Sequence, residues 1–93
     1  MNAKKLKSLR NKIDSLDNKI FNLIKKRTNV VKRMLITKRH KNQIVDHKRI
    51  NQILKKIKKK SVKEKVDVRI TNKIWKSMIW SYVDFQRRNF RKK

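Results

Sequence analysis

The sequence contains no cysteine, no glycine and no proline, and only six acidic side chains among its 93 residues. Without cysteine there is no disulfide framework, no thiolate metal ligand and no thiol nucleophile. Without glycine and proline, the tight turns that strand-rich folds depend on lose their usual residues, while long helices lose the residues that break them. No run of 18 apolar residues is present, which argues against a transmembrane helix, and MNAKKLKSLR is not followed by the apolar core of a signal peptide. These features point to a cytoplasmic chain of one domain, 1–93, built from a few long helices joined by polar loops. A domain this small buries a modest core, so a partner subunit is a plausible source of stability.

The chain has lysine and arginine in excess: 31 against the six acids, a formal charge of +25. Such a field attracts anions, whether nucleic acid, an acidic membrane or a small acidic metabolite. Lysine, asparagine and isoleucine are all heavily used, so a general compositional bias that fills solvent faces with lysine is the plainer source of much of that charge.

Apolar periodicity divides the chain into three helices. The first runs from about Lys4 to Lys38, with Leu6, Leu9, Ile13, Leu16, Ile20, Leu23, Val30 and Met34 spaced alternately by threes and fours, and Ile24 and Val31 widening the stripe. At ~1.5 Å per residue it spans roughly 50 Å, whereas a compact chain of this size is about 25 Å across. The helix overhangs its own domain, and pairing with a second copy is the simplest cover for its seam. Arg39–Gln43 reads as a loop. A second helix is expected from Val45 to about Lys59, with Ile50, Ile53, Leu54 and Ile57 on one face. A charged connection follows over Lys58–Lys65, in which Ser61 and Glu64 have capping-box spacing. The third helix is expected from about Asp67, a good N-terminal cap, to Phe90, with Ile70, Ile74, Trp75, Met78, Ile79, Tyr82 and Val83 along its stripe.

Polar residues that interrupt these stripes are the candidates for function. Arg27 takes the heptad position that follows Leu6, Ile13 and Ile20. Burying a guanidinium costs several kcal/mol unless an anion meets it, so Arg27 pairs with a carboxylate such as Asp46, reaches out to water, or waits for an anionic ligand. Lys38 follows 11 residues later, three turns plus about 20°, on the same face if the helix continues. Gln86 extends the third stripe beyond Ile79 and Tyr82, and Arg49 sits beside Ile50 on the second helix. Arg10 is turned roughly 100° from Arg27 and reaches a shared site only across a dimer. His40 and His47 lack the flanking ligands of a metal site, and no serine stands at a suggestive spacing from a histidine. What remains is an apolar cage with fixed cations and one amide, suited to holding a small dianion and stabilising charge as it moves.

The stretches LKSLRNKIDSLDNKIFNLIKKRTNVVKRMLITK, IVDHKRINQIL and VDVRITNKIWKSMIWSYVDFQRRNF, in that order, resemble the small all-α (type II) chorismate mutases over nearly the full chain. The opening L-R-x-K-I-D-x-L-D followed by L-I-x-K-R is its most specific element, together with the aromatic third helix that ends in glutamine. The resemblance implies an intertwined homodimer of three-helix chains that rearranges chorismate to prephenate with no cofactor and no metal. It implies that Arg10 crosses the dimer interface to a substrate carboxylate and that Arg27 holds a carboxylate within its own protomer. Lys38 and Gln86 are implied as the donors to the breaking ether oxygen. Asp46 and Arg49 match a D-x-x-R element lining the site, with Ile50 and Tyr82 against the substrate. The family usually continues that element with glutamate, an acceptor for the ring hydroxyl, where this chain has Ile50. That departure admits the related isochorismate pyruvate lyases, which lack the same acid. From other classes, the alternatives are a basic nucleic-acid-binding helical protein, a membrane-surface helix and a catalytically silent regulator; neither specific nucleic-acid binding nor a membrane partner is expected. Against the nucleic-acid reading, the cations spread over all three helices, no recognition motif is present, and the stripe accounts for Trp75 and part of Trp80.

Overall fold

The computed structural model describes residues 2–92. Helix α1 spans Ala3–Thr37, a single 3₁₀ turn spans Lys41–Gln43, α2 spans His47–Lys63 and α3 spans Val68–Asn89; among the described residues there is no strand. The first helix, 35 residues long, is the longest of the three. Two compact units are formed, Met1–Val31 and Lys32–Lys93, and α1 runs through the boundary.

The first unit is a single helix. Its N-terminal turn is closed by Asn2, whose Oδ1 accepts from the Lys5 amide at 3.1 Å. The heptad stripe along it is exposed: Leu9, Ile13, Leu16, Ile20 and Leu23 keep between 46% and 63% of their surface in water. The helical period follows from the pattern of apolar residues, but nothing within this unit buries the face that the pattern creates.

The second unit holds the core. Leu35, from the last turns of α1, packs with Ile44 and Val83, and Val45 and Phe90 cover them. Within this unit the sequence pattern points to Met34, yet Leu35 is the buried residue while Met34 remains about half exposed. The buried face is displaced by one residue, about 100° of the helix, because Leu35 is the side chain that meets Ile44 and Val83.

After Thr37 the chain reverses without glycine. Gln43 makes this possible: its Oε1 accepts from the backbone amides of Arg39 at 2.8 Å and His40 at 2.9 Å. Lys38 is tied back by its own amide to the Leu35 carbonyl at 3.1 Å. The loop expected over Arg39–Gln43 is therefore a bend followed by one 3₁₀ turn.

Helix α2 begins at His47 rather than Val45, because Asp46 caps it, accepting from the Arg49 amide at 3.0 Å. It then runs to Lys63, through residues expected to form a charged connection. Lysine is a good helix former, so a lysine run does not end a helix. Ser61, expected to start a capping box, lies inside α2 and is buried; its Oγ donates to the Ile57 carbonyl and shares a 2.7 Å hydrogen bond with Thr71 Oγ1 of α3. The true stop comes at Lys65, which takes a left-handed φ of 58°. The Val66 amide reaches the Ser61 carbonyl and the Lys65 amide that of Val62, the crossed pair of a Schellman motif. Asp67 then caps α3 as expected, through the Arg69 amide at 2.8 Å. Phe90, expected as the last helical residue, is the extended C-cap.

On α3, Ile79, Val83 and Gln86 are buried, whereas Ile70 and Ile74 stay about half exposed. Trp75 is half-buried, and Trp80 is 44% exposed and stacks at a tilt against the His47 ring, centroids 6.5 Å apart.

Candidate active site

Lys38 stands one residue beyond the end of α1, so its placement comes from the turn and not from the helical wheel. The Gln43 clamp and the Leu35 carbonyl fix its backbone. Its ammonium donates to Gln86 Oε1 at 2.7 Å, linking residues 48 positions apart. Gln86 is only 8% exposed, and its Nε2 donates to the Tyr82 carbonyl one turn earlier at 3.2 Å. The amide is thus oriented from both ends. With the oxygen committed to Lys38, the nitrogen has a second N–H beyond the one given to Tyr82. Tyr82 is half-buried, and its ring meets Phe85 edge to face at 6.5 Å.

Partial burial pushes the Lys38 ammonium below the usual lysine range, and the negative charge of Asp46 opposes that shift. Asp46 therefore has two effects: it caps α2, and its field favours the charged form of Lys38. Arg49 and Ile50 follow on the first turn of α2. Arg49 is exposed; Ile50 is half-buried, and its amide closes the first helical bond to the Asp46 carbonyl at 2.9 Å. The structure thus brings Lys38, Tyr82 and Gln86 into one hydrogen-bonded chain, with Asp46 near enough to act on Lys38. Arg10 and Arg27 belong to the first unit, where Arg10 is exposed and Arg27 half-buried.

Sequence reasoning missed Gln43, the side chain that replaces glycine in the turn and so sets Lys38 in place. Its one signal was an amide in a polar loop shortly after a long helix, in a chain that has no glycine to turn on.

The arrangement can stabilise negative charge. A half-buried ammonium and a buried amide, pre-oriented by hydrogen bonds, donate to an anion or a developing oxyanion with little reorganisation. No helix among the described residues is long and apolar enough to cross a membrane. A model of the family described as chorismate mutase type II matches residues 9–87, which take in Arg10, Arg27, Lys38, Asp46, Arg49, Ile50, Tyr82 and Gln86. Comparison with curated proteins and with solved structures gives no match. Spanning all three helices and most of the sequence, the family match shows that this chain belongs to the type II chorismate mutases.

Proposed function

We propose that the protein is a chorismate mutase that rearranges chorismate to prephenate in aromatic amino-acid biosynthesis, as a cytoplasmic, intertwined homodimer. The observation that carries the reading is the Lys38–Gln86 hydrogen bond, which sets a cationic and an amide donor side by side within a chain of this family.

The reaction is unimolecular, so the enzyme has two tasks. It must hold a flexible dianion in a compact, chair-like shape, which removes an entropic barrier. It must also stabilise the charge that grows on the ether oxygen as the C–O bond breaks. In this proposal Arg27 and, from the partner protomer, Arg10 grip the two carboxylates, for which a planar guanidinium offers paired donors. Lys38 and the second Nε2–H of Gln86 donate to the ether oxygen. Asp46 keeps Lys38 charged and Arg49 lines the site, with Ile50 and Tyr82 as walls. No proton is transferred and no covalent intermediate forms. The exposed stripe from Leu9 to Leu23 supports the dimer, because a second copy covers it and brings Arg10 to a neighbouring site.

Ile50 favours a second reading. At the first turn of α2 it provides no acceptor for a ring hydroxyl, which suits an isochorismate pyruvate lyase of the same fold. Purified protein offered chorismate and isochorismate separately distinguishes the two. Prephenate from chorismate supports the mutase. Pyruvate and salicylate from isochorismate, with little prephenate, move the assignment to the lyase. No product from either removes the enzyme reading.

A further inference from the structure

Helix α2 carries eight lysine and arginine residues among its 17 and no acid. The carboxylates nearest in sequence, Asp46 and Glu64, are its two caps, and Asp46 is already engaged with the Arg49 amide. Lys55, Lys56, Lys59 and Lys63 are all exposed and fall on one face, with Gln52 and Val62 between them. Steps of four residues place ammonium groups about 6 Å apart along the axis. Lys63 faces the negative end of the helix, where a cation is favourable. Lys55, Lys56 and Lys59 have no such compensation, and the like-charge pairs Lys55–Lys59 and Lys59–Lys63, four residues apart, destabilise the helix. These like-charge contacts oppose folding, and a partner with regularly repeated negative charge relieves them.

The opposite face decides what kind of partner fits. Ile50, Ile53, Leu54 and Ile57 are half-buried, and Leu54 and Ile57 line a cleft shared with Val68 and Thr71 of α3. The apolar face is therefore committed within the protein and cannot insert into lipid. The outward groove, bounded by Gln52, Lys55, Lys56, Lys58, Lys59 and Val62, presents ammonium groups to water.

We propose that this face of α2 is a docking site for the phosphodiester backbone of nucleic acid, bound without regard to base sequence. It is separate from Lys38 and Gln86 and does not depend on the mutase reading. The test uses a labelled 20-nucleotide oligothymidylate and three proteins: the unaltered chain, one with Lys55, Lys56, Lys59 and Lys63→Gln, and a charge-matched control with Lys4, Lys5, Lys7 and Lys12→Gln on α1. Each phosphate contact contributes about 0.7 to the slope of log affinity against log salt on a single strand. The α2 variant is expected to lose about 3 from that slope and to bind at least about tenfold more weakly in low salt, while the control loses less than about 1. Equal losses in the two variants, or none in either, overturn the proposal, because the charge then acts as a diffuse cloud. Binding of the α2 row to phosphatidylserine vesicles but not to the oligonucleotide also overturns it. Lysine acetylation of the unaltered protein needs no variant to fold: the oligonucleotide must protect Lys55, Lys56, Lys59 and Lys63 more than Lys4, Lys5 and Lys7.

Discussion

Replacing Lys38 by alanine removes the only charged member of the Lys38–Gln86–Tyr82 chain. In the proposed mechanism it deletes the cationic donor to the ether oxygen. A donor aimed at developing charge is worth about 3–4 kcal/mol, which corresponds to a loss of roughly 10²–10³ in kcat. The upper end is expected here, because the Gln86 amide loses the partner that orients its oxygen at 2.7 Å and donates less accurately afterwards. The effect on stability is much smaller. An unsatisfied buried acceptor costs about 1–3 kcal/mol, but alanine leaves room for water beside Gln86 Oε1 and also removes a partly desolvated ammonium. A net loss of about 1 kcal/mol lowers the melting temperature by about 4–8 °C for a chain of this size. The assay follows prephenate formation at pH 7.5 for the Lys38→Ala and Lys38→Met variants, with circular dichroism as the check on folding. Methionine keeps the apolar stem and removes only the ammonium, so both variants should fail alike in kcat. A folded variant that retains kcat within about tenfold of the unaltered protein refutes the role of Lys38.

Four further outcomes follow from the same structure. Burial lowers the Lys38 pKa, so turnover should fall with rising pH before the ordinary lysine range is reached; Asp46→Asn, which removes the opposing charge, should move that fall to still lower pH. The linked stability runs the other way: the folded state holds the Lys38 proton less tightly than the unfolded state, so this residue's contribution to stability rises as pH climbs through the lowered value toward 10.5, as pH-dependent denaturation would show. Lys65→Gly should stabilise the fold by about 1 kcal/mol in urea denaturation, because glycine takes the left-handed conformation at no steric cost. Ile20→Glu places a charge in the exposed stripe of α1 and should convert the proposed dimer to monomer in analytical ultracentrifugation; an unchanged dimer would show that the stripe is not the interface.

Much of the architecture was legible from period and composition. The number of helices, the length of α1, the Ile79 and Val83 part of the α3 stripe and the Asp67 cap all follow from local rules: where apolar residues recur, and which side chain can accept a free backbone amide. The family's motifs also singled out Lys38 and Gln86, two residues that the structure joins in a hydrogen bond. Local rules failed where two distant segments compete for the same contact. The lysine run 58–60 read as a connection because its polarity hides helix propensity, and Ser61 read as a cap because nothing nearby in sequence reveals Thr71 of α3. Leu35 replaced Met34 as the buried residue because Ile44 and Val83 chose among faces that the heptad alone leaves equivalent.

By itself, then, the sequence determined that this is a helical chain with a surplus of cations and an amide on its apolar stripes, since these are properties of spacing and residue type. Only the tertiary structure decided that Lys38 and Gln86 meet at 2.7 Å, that the Tyr82 carbonyl orients the amide and that Gln43 turns the chain to bring them together. Those contacts join segments up to 48 residues apart, and their geometry is set by the packing of Leu35, Ile44 and Val83, which no window of sequence contains.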